Sequence, residues 1–159
     1  FGDMKREPSG ESIVYYSNAE IRVIKIRDPF AKAHIKHLLP SDVIYEHLIH
    51  NLLFPTTSYH LVGRSNDGAD LRIILSLHYI DDKYIIPPQS LIDRYLIEGL
   101  GLKPEDTYFY GNEYIAVTDV SAEGDNVLFD GEQLYFIDPL IRMKRPAVEI
   151  LEHYYSLLK

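Results

Sequence analysis

Residues 118–139 read TDVSAEGDNVLFDGEQLYFIDP, and this stretch predicts a β-hairpin with polar side chains gathered at one end. A loop with Asp119 and Asn126 enters an apolar strand, the chain turns at an Asp-Gly pair, and a second apolar strand ends at Asp138. An Asp-Gly pair between apolar runs is a strong signal for a tight hairpin turn. Oxygen-bearing side chains placed together in this way can position a hydroxyl group or water and can hold magnesium against phosphates.

Asp138 has a structural interpretation as well as a functional one. It follows the apolar run LYFI and precedes Pro139, so its backbone is predicted to be extended and its carboxylate to lie at a strand end. A carboxylate in such a place needs a partner, whether a metal, a cation or a cap. Acidic residues beside turns often only shape the loop, so both interpretations stay open.

The composition is typical of a globular protein and excludes several kinds of site. The 159 residues are 46% hydrophobic and 25% charged, which fits one ordinary domain or two very small ones. The formal net charge of −8 argues against non-specific binding to nucleic acid or anionic membranes. Because the chain has no cysteine, disulfides, thiol catalysis and cysteine-based zinc sites are excluded. This fits a reducing compartment, and we expect a cytoplasmic location.

The sequence shows no apolar segment of the membrane-spanning or secretory type and no histidine-based metal motif. No apolar run approaches the roughly 20 residues of a membrane span, and the start FGDMKREPSG lacks the apolar core of a secretory signal. This start resembles the interior of a longer protein, so we expect an excised domain with neighbouring domains. The seven histidines show no metal-ligand spacing, and HExxH, GxSxG and GxxxxGK motifs are absent.

Turn residues divide the chain into hairpins and helices. Strand pairs are predicted at residues 12–16 and 21–26, 58–63 and 71–79, and 107–110 and 113–118, ahead of the hairpin in 118–139. Helices are predicted at residues 30–39, 42–54, 89–99 and 146–158. Because hairpins dominate, we predict an α+β fold with mainly antiparallel sheets and helices packed on them.

The predicted helix at 42–54 has clear end signals. Ser41 is a good N-cap, Asp42 suits the first turn, and Pro55 ends the helix. The helix also has a predicted buried stripe, formed by Ile44, Leu48 and Leu52 and widened by Ile49 and Leu53.

Lys25 and Glu46 form a second candidate pair of functional residues. Lys25 lies in the strand-like run VIKI, and Glu46 lies on the following helix. A strand lysine held by a helix glutamate can direct a fixed positive charge at phosphate oxygens. The alternative is that both are ordinary exposed charges, which is the commoner situation. Upstream, the stretch PSGES with Gly10 could cover a phosphate, although one glycine is a weak signal.

In this order, the features resemble a protein kinase reduced to its essentials. More narrowly, the segments GESIVY (10–15), HNLLFPTTSYHLVG (50–63) and DNVLFDGEQLYFIDP (125–139) resemble the compact kinase domain of bacterial polyvalent proteins. Those are large multidomain proteins carried by phages and conjugative elements. The similarity covers roughly residues 9–142. The pattern HNxLFPxTxY is its most specific part, because generic kinases lack it.

The resemblance implies ATP and Mg²⁺ as ligands and phosphoryl transfer to a hydroxyl group, with a protein as one candidate acceptor. Lys25, oriented by Glu46, would bind the α- and β-phosphates. Asp119 would accept a hydrogen bond from the attacking hydroxyl. Asn126 and Asp138 would hold the metal.

The resemblance also implies how the nucleotide is enclosed. Gly10 would lie in the turn over the phosphates, and the backbone from His78 to residue 81 would contact adenine. Apolar walls would come from Val14, Ile24 and Leu128. The implied architecture is a minimal kinase-like fold, with an N-lobe at about 1–80 and a reduced C-lobe at 81–159.

The loop between Asp119 and Asn126 departs from the kinase pattern. The two residues are seven positions apart, whereas kinases separate the pair by roughly five, so Asp125 competes with Asn126 as a ligand. Few residues follow Asp138 and the APE motif is absent, so a platform for gripping a protein substrate is largely missing. Two alternatives to an active kinase therefore stay open. One is a nucleotide-binding pseudokinase, and the other is a non-catalytic interaction module of a larger mobile-element protein.

Overall fold

The computed structural model describes residues 5–8, 12–17, 22–28, 39–67, 70–78, 80 and 84–157. Contacts between residues divide the chain into two compact units. The first unit takes Phe1–His47 and Ser58–Asp81, and the second takes Leu48–Thr57 and Asp82–Lys159. The division falls within one helix, whose two halves therefore belong to different units.

Runs of short strands are separated by helices along the described chain. The strands are β1 (Lys5–Pro8), β2 (Ser12–Ser17), β3 (Arg22–Arg27), β4 (His60–Asp67), β5 (Asp70–His78), β6 (Lys103–Asp106), β7 (Phe109–Gly111), β8 (Ile115–Thr118), β9 (Val127–Phe129), β10 (Leu134–Phe136) and β11 (Leu140–Met143). The helices are α1 (Pro40–Leu53), α2 (Gln89–Arg94) and α3 (Ala147–Leu157). Antiparallel sheets combined with these helices confirm the predicted α+β class.

The first unit contains an antiparallel sheet in the order β1-β2-β3-β5-β4. The hairpins β2–β3 and β4–β5 confirm two of the strand pairs predicted from turn residues. Strand β1 was not predicted, and it pairs Pro8 with Ile13 of β2. The predicted phosphate-covering turn with Gly10 lies outside the described residues, as does nearly all of the predicted helix at 30–39.

Helix α1 begins earlier than the sequence predicts. It starts at Pro40, so Ser41 lies inside the helix and is not its N-cap. The Asp42 carboxylate accepts a hydrogen bond from the Leu39 N–H at 2.8 Å. This is the bond that reaches back in a capping box, in which a first-turn side chain accepts from the N–H of the residue before the helix.

The buried face of α1 differs from the predicted stripe. Ile44 and Leu48 are 38% and 44% exposed, whereas Val43, His47 and His50 are buried. The prediction was wrong for Ile44 and Leu48 because it chose the buried face from aliphatic residues alone and so left out the two histidines. Each of these two histidine rings bonds a backbone carbonyl oxygen, which offsets the cost of burying its polar atom.

The second unit contains a sheet in the order β11-β8-β7-β6 and a separate hairpin of β9 and β10. Hairpin β7–β8 and helix α3 confirm the corresponding predictions, whereas β6 and β11 were not predicted. The core of this unit includes five almost fully buried side chains, Phe54, Leu96, Ile115, Phe136 and Ile150. Burial of such a side chain contributes about 1.5–3 kcal/mol, so this cluster holds the elements around the candidate site in place.

Helix α2 continues directly into a π-helical turn at Tyr95–Gly99, so the predicted helix at 89–99 is confirmed. The Leu100 N–H donates to the Tyr95 carbonyl oxygen at 3.1 Å. Gly101 then adopts φ +65°, a left-handed conformation without steric cost for glycine, and the chain leaves the helix. None of the helices within the described residues has the length and apolar character that crossing a bilayer requires.

Candidate functional site

Asp119 directly follows strand β8 and has an unusual backbone conformation. Its φ is +61°, in the left-handed region that few residues other than glycine adopt, although aspartate and asparagine do so more often than most. The residue is exposed. A non-glycine residue in this region costs some conformational energy, and such residues are concentrated at functional sites. Asp119 is thus a candidate functional residue, and its catalytic role stays a prediction.

The two extra residues between Asp119 and Asn126 are absorbed in a closed turn. The Gly124 N–H donates to the Ser121 carbonyl oxygen at 3.1 Å, and the Glu123 N–H donates to the Ser121 hydroxyl at 3.1 Å. Val120 is fully buried, which ties the start of the loop to the core. The longer loop is thus compact, and its ends stay close together.

Asn126 links Asp119 to the hairpin that leads to Asp138. Its side-chain Nδ2 donates to the Asp119 carbonyl oxygen at 3.3 Å. Its own carbonyl oxygen accepts from the Ile137 N–H at 2.8 Å, which extends the β9–β10 pairing by one step. Asp138 follows Ile137 directly. The structure therefore brings the backbones of the three predicted residues to one end of the hairpin in the second unit.

A group of residues before β4 holds the strand that leads to Asp138. The Phe136 carbonyl oxygen accepts a hydrogen bond from the Thr57 hydroxyl at 2.7 Å and lies 3.1 Å from His50 Nε2. The Phe54 ring stacks on the Phe136 ring, with centroids 4.3 Å apart. We call His50, Phe54 and Thr57 the β10 clamp.

The β10 clamp lies in the segment HNxLFPxTxY. This segment is the most specific part of the family resemblance, but the sequence alone did not predict a structural role for it. The neighbouring Thr56 hydroxyl donates to the Leu134 carbonyl oxygen at 2.8 Å, which adds a second attachment to β10. Sequence reasoning missed this function because the partners are 78 to 86 positions apart. The only signal available was the presence of polar residues inside an otherwise apolar motif.

Lys25 lies on β3 in the first unit, opposite Val14 of β2 and Leu75 of β5. Directly paired residues of antiparallel strands share a face, so Val14 and Lys25 are neighbours, as expected for a lysine beside an apolar wall. Ile24 lies on the opposite face, because successive strand residues alternate. Val14 and Ile24 therefore lie on opposite faces of the sheet, and their contacts with a nucleotide stay predictions.

The Lys25 ammonium is buried and hydrogen-bonded. Its Nζ donates to the Tyr59 hydroxyl at 2.9 Å, and the residue is 7% exposed. Tyr59 is the last residue of the segment HNxLFPxTxY, so this motif also contributes to the surroundings of Lys25. A buried lysine with a polar partner is unlike the ordinary exposed lysine of the alternative interpretation.

Glu46 forms an ion pair that the sequence did not predict. Its carboxylate lies 3.6 Å from the Arg27 guanidinium, and both side chains are largely buried. Arg27 is two residues after Lys25 on β3 and shares its face. The orientation of Lys25 by Glu46 stays a prediction.

The remaining predicted nucleotide-binding residues fall at different places. His78 is the exposed last residue of β5, and most of the connection after it lies outside the described residues. Leu128 is half-buried in the middle of β9, opposite Tyr135. Their contacts with a nucleotide stay predictions.

A groove of about 540 Å³ also lies in the second unit. It is lined by Pro55, Thr56, Leu91, Arg94, Tyr95, Glu98, Gly99, Phe129, Glu132, Gln133 and Leu134. None of the predicted site residues lines this groove, so we assign the groove no part in the reaction proposed for Asp119 and Asp138.

Tyr110 of β7 is hydrogen-bonded to Asp93 of α2. Its hydroxyl donates to Asp93 Oδ1 at 2.5 Å. Burial, followed by the hydrogen bond to the negative Asp93 carboxylate, raises the pKa of Tyr110 to about 12. Deprotonation would place two negative charges together, so the bond depends on the hydroxyl proton.

The shifted pKa of Tyr110 predicts a loss of stability at high pH. Because the pKa in the folded protein exceeds the value of 10.0 for ordinary tyrosine, the hydroxyl proton stabilises the fold fully below pH 10. We expect this contribution to disappear as the pH rises towards 12. Urea unfolding of the wild type and of Tyr110→Phe across this range should show the steeper decline in the wild type. The exposed Tyr155→Phe is the control, and parallel curves for wild type and Tyr110→Phe would contradict the prediction.

Comparison with family models gives a match over most of the chain. A family model described as "Serine/Threonine/Tyrosine Kinase found in polyvalent proteins" matches residues 1–145. No curated protein and no solved structure matches the chain.

Proposed function

The chain belongs to the family of serine/threonine/tyrosine kinases found in polyvalent proteins, and we propose that it transfers the γ-phosphoryl group of ATP to a hydroxyl group. The family resemblance predicted from the sequence motifs is thereby confirmed. We further propose a minimal kinase-like fold, in which the antiparallel sheet of the first unit is the N-lobe and the second unit is a reduced C-lobe.

The observation that supports this proposal best is the bonding of Asn126. Its Nδ2 donates to the Asp119 carbonyl oxygen, so its Oδ1 is the side-chain atom left to accept. An amide oxygen and the Asp138 carboxylate are hard oxygen ligands of the type that Mg²⁺ uses together with substrate phosphates. When bound, Mg²⁺ would neutralise charge on the phosphate oxygens.

In the proposed reaction, the Asp119 carboxylate accepts a hydrogen bond from the acceptor hydroxyl. The hydroxyl oxygen forms a bond to the γ-phosphorus, the bond from that phosphorus to the bridging oxygen of ADP breaks, and Asp119 takes the hydroxyl proton. Lys25 supplies a positive charge for the α- and β-phosphates. Its hydrogen bond to Tyr59 restricts the side chain, which reduces the entropy lost when it binds.

The first test of this proposal is the stability of the wild-type protein with ATP. We expect Tm to rise with ATP and Mg²⁺, because a ligand present at roughly 100 times its Kd stabilises the folded state by about 2.7 kcal/mol. The rise should shrink when EDTA removes Mg²⁺. Absence of any rise at millimolar ATP would contradict nucleotide binding and favour the interaction module.

The second test is transfer of labelled γ-phosphate to the protein itself and to serine, threonine and tyrosine peptides. Label in any of these acceptors supports the kinase. A rise in Tm without transfer favours the second candidate, a nucleotide-binding pseudokinase. The specific observation behind that candidate is the seven-residue separation of Asp119 and Asn126.

A further inference from the structure

Gln89, the first residue of α2, bonds the middle of the loop between Asp119 and Asn126. Its side-chain Oε1 accepts a hydrogen bond from the Ala122 N–H at 2.8 Å. We propose that Gln89 is a positioning residue that fixes this loop, and with it Asp119, for the reaction. The inference rests on the proposed phosphoryl transfer. Gln89 lies outside the segments 10–15, 50–63 and 125–139 that carry the family resemblance.

Gln89 is itself held in place by two partners. Its Nε2 donates to Asp93 Oδ1 at 2.9 Å and lies 3.4 Å from the Tyr110 hydroxyl, which also donates to Asp93. The Asp93 carboxylate can only accept, so it selects the amide orientation in which Nε2 faces Asp93 and Oε1 faces Ala122. The loop is therefore attached to a preformed network on α2 and β7.

The anchor lies where the loop departs from the usual kinase spacing. A loop that is longer by two residues has more conformations available, and ordering it costs more free energy. The Asn126 bond at 3.3 Å restrains only the two ends of the loop. Gln89 restrains its middle at Ala122, next to the turn formed by Ser121 and Gly124. The Gln89 network thus explains how the longer loop keeps one conformation.

The test compares Gln89→Ala with Gln133→Ala, an exposed glutamine outside the loop and the network. Steady-state ATP turnover and transfer of labelled phosphate are measured on the full chain with Mg²⁺. We expect Gln89→Ala to lower kcat about 10- to 100-fold with KM for ATP within about twofold, because a small displacement of a catalytic group has this effect on rate. An unchanged kcat, or a loss confined to KM, would overturn the proposal.

A charge-exchange pair separates positioning from general stability. Gln89→Glu keeps an acceptor for Ala122 but places a second carboxylate against Asp93, so kcat should fall. Adding Asp93→Asn supplies an amide donor to that carboxylate and should restore kcat to within about threefold of wild type. If the double variant is no better than Gln89→Glu alone, the hydrogen-bond mechanism is wrong.

Amide hydrogen exchange tests the anchor without activity. We expect the Ala122 amide to exchange at least about tenfold faster in Gln89→Ala than in Gln133→Ala, while the Ile137 amide of the hairpin keeps its wild-type rate. Unchanged exchange at Ala122 overturns the anchor even if the enzyme is active. If the wild type transfers no phosphate but Ala122 exchange rises, the proposed function fails and the structural anchor is supported.

Discussion

Asp138→Asn is expected to abolish the Mg²⁺-dependent part of the rise in Tm with ATP and to lower phosphoryl transfer about 1,000-fold. A metal ion contributes several kcal/mol to charge stabilisation in such reactions, and each 1.36 kcal/mol corresponds to about tenfold in rate. The substitution replaces the carboxylate that would bind the metal with an uncharged amide of nearly the same size. Thermal unfolding without ATP and Mg²⁺ measures any separate effect of the substitution on the stability of the fold. Thermal unfolding with ATP, in Mg²⁺ and in EDTA, gives the first readout, and label transfer gives the second.

The matched control for Asp138→Asn is Glu132→Gln. It removes one negative charge from the exposed turn between β9 and β10, so it reproduces the change in net charge away from the proposed metal. We expect its response to ATP and Mg²⁺ to equal that of the wild type. An Mg²⁺-dependent rise that persists in Asp138→Asn would refute the metal assignment.

Asp119→Asn is expected to lower phosphoryl transfer by about 10²- to 10⁴-fold, the usual contribution of a positioned acid or base, and to leave the rise in Tm with ATP and Mg²⁺ intact. Asparagine suits this position because it tolerates the φ of +61°, whereas alanine would add backbone strain. The Asp119 carbonyl oxygen, which accepts from Asn126, is unchanged by the substitution. Any loss of transfer then reports on the carboxylate.

Asp125→Asn is the companion variant for Asp119→Asn. The sequence left Asp125 as a competitor of Asn126, but in the structure Asn126 is the residue that bonds the Asp119 carbonyl oxygen. We expect Asp125→Asn to keep most of the transfer activity. Transfer that survives Asp119→Asn, with a loss in Asp125→Asn, would move the catalytic role to Asp125.

The parts of the fold that were predicted correctly depend on local signals. The hairpins β2–β3, β4–β5, β7–β8 and β9–β10 are bounded by turn residues and have strands of β-branched and aromatic residues, which favour the extended backbone. The same local patterns gave the class α+β. The edge strands β1 and β6 were missed because their sequences, KREP and KPED, contain none of the β-branched or aromatic residues that favour strands. Strand β11 was missed because its partner, β8, lies more than 20 positions earlier in the chain.

The buried face of α1 shows why hydrophobicity alone misled the prediction. Ile44 and Leu48 are more hydrophobic than His47 and His50, yet the histidines are inside. Their rings find carbonyl oxygens, at Val43 on the same helix for His47 and at Phe136 for His50. Phe136 is 86 positions from His50, so the sequence of the helix alone could not predict this contact.

The sequence by itself determined the hairpins, the antiparallel α+β class and the candidate residues Lys25, Asp119, Asn126 and Asp138. Each of these was predicted from turn residues or short motifs, which involve only residues close together in the chain. Only the tertiary structure showed the ion pair of Glu46 with Arg27, the β10 clamp behind Asp138 and the Gln89 anchor of the Asp119 loop. Each of these joins residues that are distant in the chain. Such bonds form only after the core has brought their elements together, because closing a long loop costs conformational entropy. Local sequence preferences do not offset that cost, so they do not predict these bonds.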